Sequence, residues 1–95
     1  MIGMCKDENG TVSIYDENGS FKNYCSGSGA LKGFSSTIIV RQDGGNISIY
    51  DENGSFKAYC SGNGEVTGVV GNTIIRKDGS NYSVYDSNGS FLHYN

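Results

Sequence analysis

Short segments of alternating apolar and polar residues recur along the chain and predict β-strands. In residues 47–50 and 55–60, for example, every second side chain is apolar. This period of two places one set of side chains on each face of a pleated strand. The β-branched and aromatic residues at these positions suit such a surface.

The strand segments recur at a fixed spacing. Residues 12–25 return 35 positions later as residues 47–60, with changes at only two positions, and residues 82–95 form a third, more divergent copy. Such self-similarity is typical of a tandem-repeat architecture. We therefore interpret the chain as a single domain, residues 1–95, with a first repeat at 1–35, a second at 36–70 and a partial third at 71–95.

Asn-Gly dipeptides separate paired strand segments at residues 18–19, 53–54 and 88–89. This dipeptide favours the two-residue type I′ turn of antiparallel hairpins. A two-residue turn at 18–19 pairs Glu17 with Ser20, Asp16 with Phe21, Tyr15 with Lys22 and Val12 with Cys25. One face of the hairpin is then predicted to carry Val12, Ile14, Phe21 and Cys25, and the other to carry Ser13, Tyr15, Lys22 and Tyr24.

A second turn, at Asp43-Gly44 and again at Asp78-Gly79, joins each hairpin to a preceding strand. The glycine-rich connectors at 26–36 and 61–72 form either a fourth strand or a closing loop. These elements predict an all-β fold, an antiparallel meander of three tandem 35-residue hairpin repeats. The pattern leaves open a sandwich, a barrel or a pseudo-threefold arrangement of sheets.

The composition predicts a small hydrophobic core. Only 36% of the 95 residues are hydrophobic, 15 are glycine, and none is proline. A short chain with a modest core needs strand pairing or association between chains for stability. Because no proline blunts an edge strand, we expect a homo-oligomer that forms through edge strands or through a tyrosine-bearing face.

The net charge is −3, and the charged residues form no long runs. The sequence therefore lacks the basic cluster that is typical of proteins that bind nucleic acid or an anionic membrane. We therefore expect neither as a partner. The first residues lack the basic and apolar segments of a secretory leader, which favours a cytoplasmic protein. The three cysteines are interpreted as small apolar strand residues, since no accompanying ligand pattern points to a metal.

The inventory of catalytic groups is poor. His93 is the only histidine, and residues 23 and 58, its equivalents in the other copies, are asparagine and alanine. No nucleophile elbow or phosphate-binding loop accompanies it. We therefore expect a protein that is not an enzyme and that has no cofactor.

The most informative predicted surface is a face bearing two tyrosines per repeat. Paired tyrosines either cover a sheet for packing and self-association or stack on sugar rings. The first alternative predicts a structural or protein-interaction module that self-associates. The second predicts a multivalent carbohydrate-binding module with one site per repeat. The candidate ligand-binding residues are Tyr15, Lys22, Tyr24, Tyr50, Lys57, Tyr59, Tyr85 and Tyr94.

The motif Tyr-Asp-x-x-Gly-x-Phe occurs at residues 15–21, 50–56 and 85–91. It resembles the core of the YD repeats found in Rhs and teneurin-type proteins, over seven residues in each copy. That resemblance implies repeated β-hairpins that wrap into shells or present a surface for binding.

Overall fold

The computed structural model describes residues 1–60 and 64–94, which contain eleven β-strands and no helix that could span a membrane. The strands are β1 (Ile2–Glu8), β2 (Thr11–Asp16), β3 (Phe21–Cys25), β4 (Ala30–Phe34), β5 (Ile38–Asp43), β6 (Asn46–Asp51), β7 (Phe56–Cys60), β8 (Glu65–Val70), β9 (Thr73–Asp78), β10 (Asn81–Asp86) and β11 (Phe91–Tyr94).

These strands form three separate antiparallel sheets, each made of strands that follow one another in the chain. The first sheet is β1–β2–β3, the middle sheet is β4–β5–β6–β7, and the third sheet is β8–β9–β10–β11. The predicted all-β antiparallel meander is confirmed. Each glycine-rich connector contains a strand, β4 or β8, that pairs with the sheet following it.

The three sheets pack face to face around two hydrophobic clusters. Val12 and Ile14 of the first sheet contact the middle sheet at Ile39 and Tyr50. The opposite face of the middle sheet, which includes Ile49, packs on the third sheet at Ile74 and Tyr85. Burial of the middle sheet on both faces explains the unbroken apolar run Ile38-Ile39-Val40 in β5.

The turn between β2 and β3 is not the predicted two-residue type I′ turn. The Asp16 N–H donates to the Ser20 carbonyl at 2.9 Å, and the Gly19 N–H donates to the Asp16 carbonyl at 3.0 Å. Gly19 has a positive φ of 83°, whereas Asn18 has not. This is a three-residue loop with a left-handed glycine, the type I turn followed by a bulge. The same hydrogen bonds recur in the β6–β7 and β10–β11 turns.

The three-residue loop changes the pairing near the turn. Tyr15 pairs with Phe21, and a bulge at Lys22 then restores the predicted pair Val12–Cys25. The predicted pairs Tyr15–Lys22, Asp16–Phe21 and Glu17–Ser20 are therefore wrong. The Phe21 ring contacts Tyr15 and Tyr24, with centroids 5.9 and 5.0 Å apart, so its predicted place on the Ile14 face is also wrong.

A type I′ turn occurs at an Asn-Gly dipeptide that the repeat comparison did not single out. Asn9 and Gly10 have φ values of 54° and 88°, and the paired residues Glu8 and Thr11 flank them. Positive φ at both central residues is the requirement of this turn. In the middle sheet the corresponding loop is Gly44-Gly45, one residue later than predicted, because Asp43 pairs with Asn46.

A buried arginine ties each connector to the sheet that follows it. Arg41 is fully buried, and its guanidinium donates to the carbonyls of Gly10 at 2.9 Å, Ser26 at 2.9 Å and Gly29 at 2.8 Å. Arg76 similarly donates to the carbonyl of Gly64 at 2.7 Å. These carbonyls satisfy the donors of a charge that would otherwise be costly to bury.

All three cysteines are buried, as expected of small apolar strand residues. Cys5 and Cys25 belong to the first hydrophobic cluster and Cys60 to the second. Burial raises the pKa of the Cys5 thiol to about 11 and also raises the pKa values of Cys25 and Cys60. The thiols are therefore protonated at neutral pH.

Candidate functional site

A polar pocket lies between the first connector and the middle sheet, with a volume of about 190 Å³. Its floor is formed by alternate residues of β6, and its roof is the backbone of the connector. We refer to it as the connector pocket. It is lined by Gly27, Ser28, Asp43, Asn46, Ser48, Tyr50 and Tyr59.

Strand alternation brings the floor residues to one face. Asn46, Ser48 and Tyr50 are alternate residues of β6 and therefore point to the same side of the middle sheet. Asp43 of β5 pairs directly with Asn46 of β6 across the intervening turn. Tyr59 of β7 pairs with Ser48 of β6. Five polar or aromatic side chains thus share one patch of the sheet.

The roof is held close to this floor. The Ser28 hydroxyl donates to the Asp43 carboxylate at 2.9 Å. The Arg41 guanidinium donates hydrogen bonds to the carbonyls of Ser26, Gly27 and Gly29. A Cβ atom on Gly27 would overlap the Tyr50 hydroxyl, so only glycine allows this approach.

The chemistry of the pocket suits a small molecule rich in hydroxyl groups. Asp43 offers acceptors, and the amide of Asn46 and the hydroxyls of Ser48 and Tyr50 offer both donors and acceptors. The Tyr59 ring is 67% exposed and packs on Phe56 with an interplanar angle of 59°. Within residues 1–60 and 64–94, no group of His, Cys, Asp or Glu side chains could hold a metal ion.

The predicted tyrosines divide into two groups. Tyr50 and Tyr85 are each only 4% exposed, because their rings lie between sheets, and Tyr15 is partly buried on the outer face of the first sheet. The remaining three, Tyr24, Tyr59 and Tyr94, are exposed. A phenylalanine ring lies between the two tyrosines of each hairpin.

The predicted position of the lysines beside these tyrosines is wrong. Lys22, the bulged residue of β3, reaches toward the middle sheet, with its Nζ 3.9 Å from a Glu52 carboxylate oxygen. Lys57 likewise donates to the hydroxyl of Ser87 in the third sheet, at 2.9 Å. Both lysines therefore lie on the side of their sheet opposite the tyrosines. Whether any of the eight candidate residues binds a ligand stays a prediction.

The sequence pattern did not identify four polar residues of the connector pocket as candidate site residues. They are Ser28, Asp43, Asn46 and Ser48. A signal was present for three of them. Asp43, Asn46 and Ser48 return 35 positions later as Asp78, Asn81 and Ser83. Turn propensity accounts for Asp and Asn beside the glycines, but it does not account for the recurring buried serine.

No protein-family model and no curated protein matches this chain, so a function can be inferred only from its own residues and contacts.

Proposed function

We propose that this chain is a non-enzymatic tandem-repeat module that self-associates, stacking the third sheet of one copy on the first sheet of the next. One observation carries the proposal. The same face-to-face interface occurs twice within the chain, and each of its two halves is also exposed at one end of the stack.

The outer face of the third sheet, here the tail face, supplies one half. It consists of Ile75, Tyr82, Val84 and Leu92. The first three correspond to Val40, Ile47 and Ile49 of the middle sheet, which are buried against the third sheet. On the tail face Tyr82 is 39% and Leu92 is 47% exposed and Ile75 is partly exposed, whereas Val84 is only 8% exposed.

The outer face of the first sheet, here the head face, supplies the other half. It consists of Met4, Lys6 and Tyr15. Met4 is 40% exposed, whereas its equivalents Ile39 and Ile74 are fully buried against a preceding sheet. Lys6 lies over the Tyr15 ring at 5.6 Å, much as Arg76 lies over Tyr85 at 5.7 Å in the buried interface.

Stacking the tail face of one copy on the head face of another would bury both apolar surfaces. Such burial is favourable by about 25 cal/mol per Å² of apolar area. Because the two faces differ, the contact is heterologous, and each copy retains one free face for a further copy. The expected product is a ring or an open stack of more than two copies, which grows with concentration.

Complementary variants test this arrangement. Tyr82→Lys places a charge on the tail face, and Met4→Lys places one on the head face. We expect each variant alone to remain monomeric in light scattering coupled to size exclusion. An equimolar mixture retains one intact head face and one intact tail face, so it should form a heterodimer and stop there.

Leu92→Lys is the matched control for Tyr82→Lys. Lysine already occupies this position at Lys22 and Lys57, within the two interfaces of the chain, and Lys22 approaches Glu52 there. In the stack, residue 92 would approach Glu17, the equivalent of Glu52. Leu92→Lys should therefore keep the wild-type assembly. A wild type that is monomeric at every concentration, or a Tyr82→Lys variant with wild-type mass, would refute the proposal.

A further inference from the structure

We infer that the connector pocket binds a small polyhydroxylated ligand of monosaccharide size. This site is separate from the proposed self-association, because none of its residues belongs to the head face or the tail face. The two can therefore fail independently.

Polar groups that line the pocket and make no hydrogen bond within the described part of the chain carry this inference. Ser48 is 8% exposed and Tyr50 is 4% exposed, and both line the pocket. Among the residues that the structure describes, no hydrogen bond engages the side chains of Asn46, Ser48 or Tyr50. Within the described residues, Gln42 Oε1 is the one buried side-chain nitrogen or oxygen atom without a partner, so the Ser48 and Tyr50 hydroxyls remain accessible from the pocket. A ligand with several hydroxyl groups would supply a hydrogen-bond partner for each of these side chains.

The size of the pocket restricts the ligand class. Sites for drug-sized molecules are usually about 300–1,000 Å³. At about 190 Å³, the connector pocket holds one sugar ring or a compound of similar size. The Asp43 carboxylate adds a charge-assisted acceptor, which hydroxyl groups satisfy well.

Tyr59 gives the site an aromatic rim. Its exposed ring packs on Phe56 with centroids 4.9 Å apart, so its orientation is fixed before a ligand arrives. An aromatic face favours the C–H face of a sugar ring. Tyr24 has the equivalent neighbour, Phe21, at 5.0 Å and a similar exposure, but it lies on the outer face of the first sheet rather than beside a connector.

Amide chemical shifts of the full chain, titrated with the methyl glycosides of glucose, galactose, mannose and N-acetylglucosamine, test the inference. At least one glycoside should shift the amides of Ser28, Asp43 and Asn46 in the millimolar range. Tyr59→Leu should weaken this binding by about 3- to 10-fold through loss of the aromatic contact. The matched variant Tyr24→Leu should leave it unchanged.

Ser48→Ala provides a second, smaller change that removes only a hydroxyl. Its control is Ser13→Ala, since Ser13 is equally buried and pairs with Tyr24 as Ser48 pairs with Tyr59. Ser48→Ala should weaken binding and Ser13→Ala should not. The inference is overturned if no glycoside shifts the pocket amides, or if the two control variants weaken binding as much as the pocket variants.

Discussion

The carbonyl oxygen of Gly54 accepts hydrogen bonds from the N–H of Ser26 at 2.9 Å and from its hydroxyl at 2.8 Å. This contact fastens the β6–β7 turn of the middle sheet to the end of β3 in the first sheet. Gly54 has a φ of 84°, and a Cβ atom there would lie 2.5 Å from the Tyr24 carbonyl oxygen. The turn is thus constrained both by its own backbone and by the neighbouring sheet.

Gly19 and Gly54 allow these two constraints to be separated. Gly19 has nearly the same φ, 83°, but a Cβ atom there would meet nothing within 4 Å. In chains kept monomeric by Tyr82→Lys, Gly19→Ala should cost about 1 kcal/mol, the strain of a left-handed residue. Gly54→Ala should cost about 2 kcal/mol more, because the new methyl group displaces the first sheet. Urea unfolding followed by circular dichroism measures both, and equal losses would contradict the inter-sheet contact.

Arg41→Met should lower the free energy of unfolding by about 3 kcal/mol, because it leaves several partly buried carbonyls of the connector without donors. The equivalent change on the head face, Lys6→Met, should alter stability by no more than about 0.5 kcal/mol in chains kept monomeric by Tyr82→Lys, because Lys6 is exposed there. Chemical unfolding of the two variants checks the difference. A similar small effect in both would mean that the Arg41 hydrogen bonds do not stabilise the fold.

The buried thiols should make stability fall at alkaline pH. The pKa of Cys5 is raised from 9.0 to about 11 in the folded chain, so the unfolded chain loses this proton first as the pH rises. The stabilisation is complete below pH 9 and is lost towards pH 11. Unfolding free energies across this window should decline less steeply in a variant with Cys5, Cys25 and Cys60 all changed to alanine. Equal slopes would contradict the prediction.

The strands were predictable because the alternation of side chains reflects local geometry. The error at the hairpin turn arose because an Asp-Glu-Asn-Gly segment can form either loop, and the pairing of the flanking strands selects between them. The Asp16 carboxylate accepts the N–H groups of Asn18 and Ser20, both at 2.9 Å, and this stabilises the longer loop. The tetrapeptide Asp-Glu-Asn-Gly does not decide the loop by itself, because residues 7–10 have the same sequence and form a two-residue turn.

The burial of Tyr50 could not be predicted from its own strand. Tyr50 and Ile49 point to opposite faces of the strand, and this alternation is the same whether the Tyr50 face meets solvent or a neighbouring sheet. Whether Tyr50 is exposed or buried therefore depends on contacts between sheets, and these contacts join residues that are distant in the sequence. The recurring basic residue at Lys6, Arg41 and Arg76 was a usable sign of that packing, because a charged position is otherwise unexpected among apolar strand residues.

Each sheet is assembled from consecutive strands joined by short loops, so pairing requires little loop closure and is expected to be fast. The near-identity of residues 12–25 and 47–60 gives the growing polypeptide two interchangeable hairpins, a known source of misassembly among repeats. Synthesis from the N-terminus lets β1 capture the earlier hairpin before the later one emerges. Gain or loss of one 35-residue genetic unit would accordingly lengthen or shorten the stack while preserving every remaining sheet.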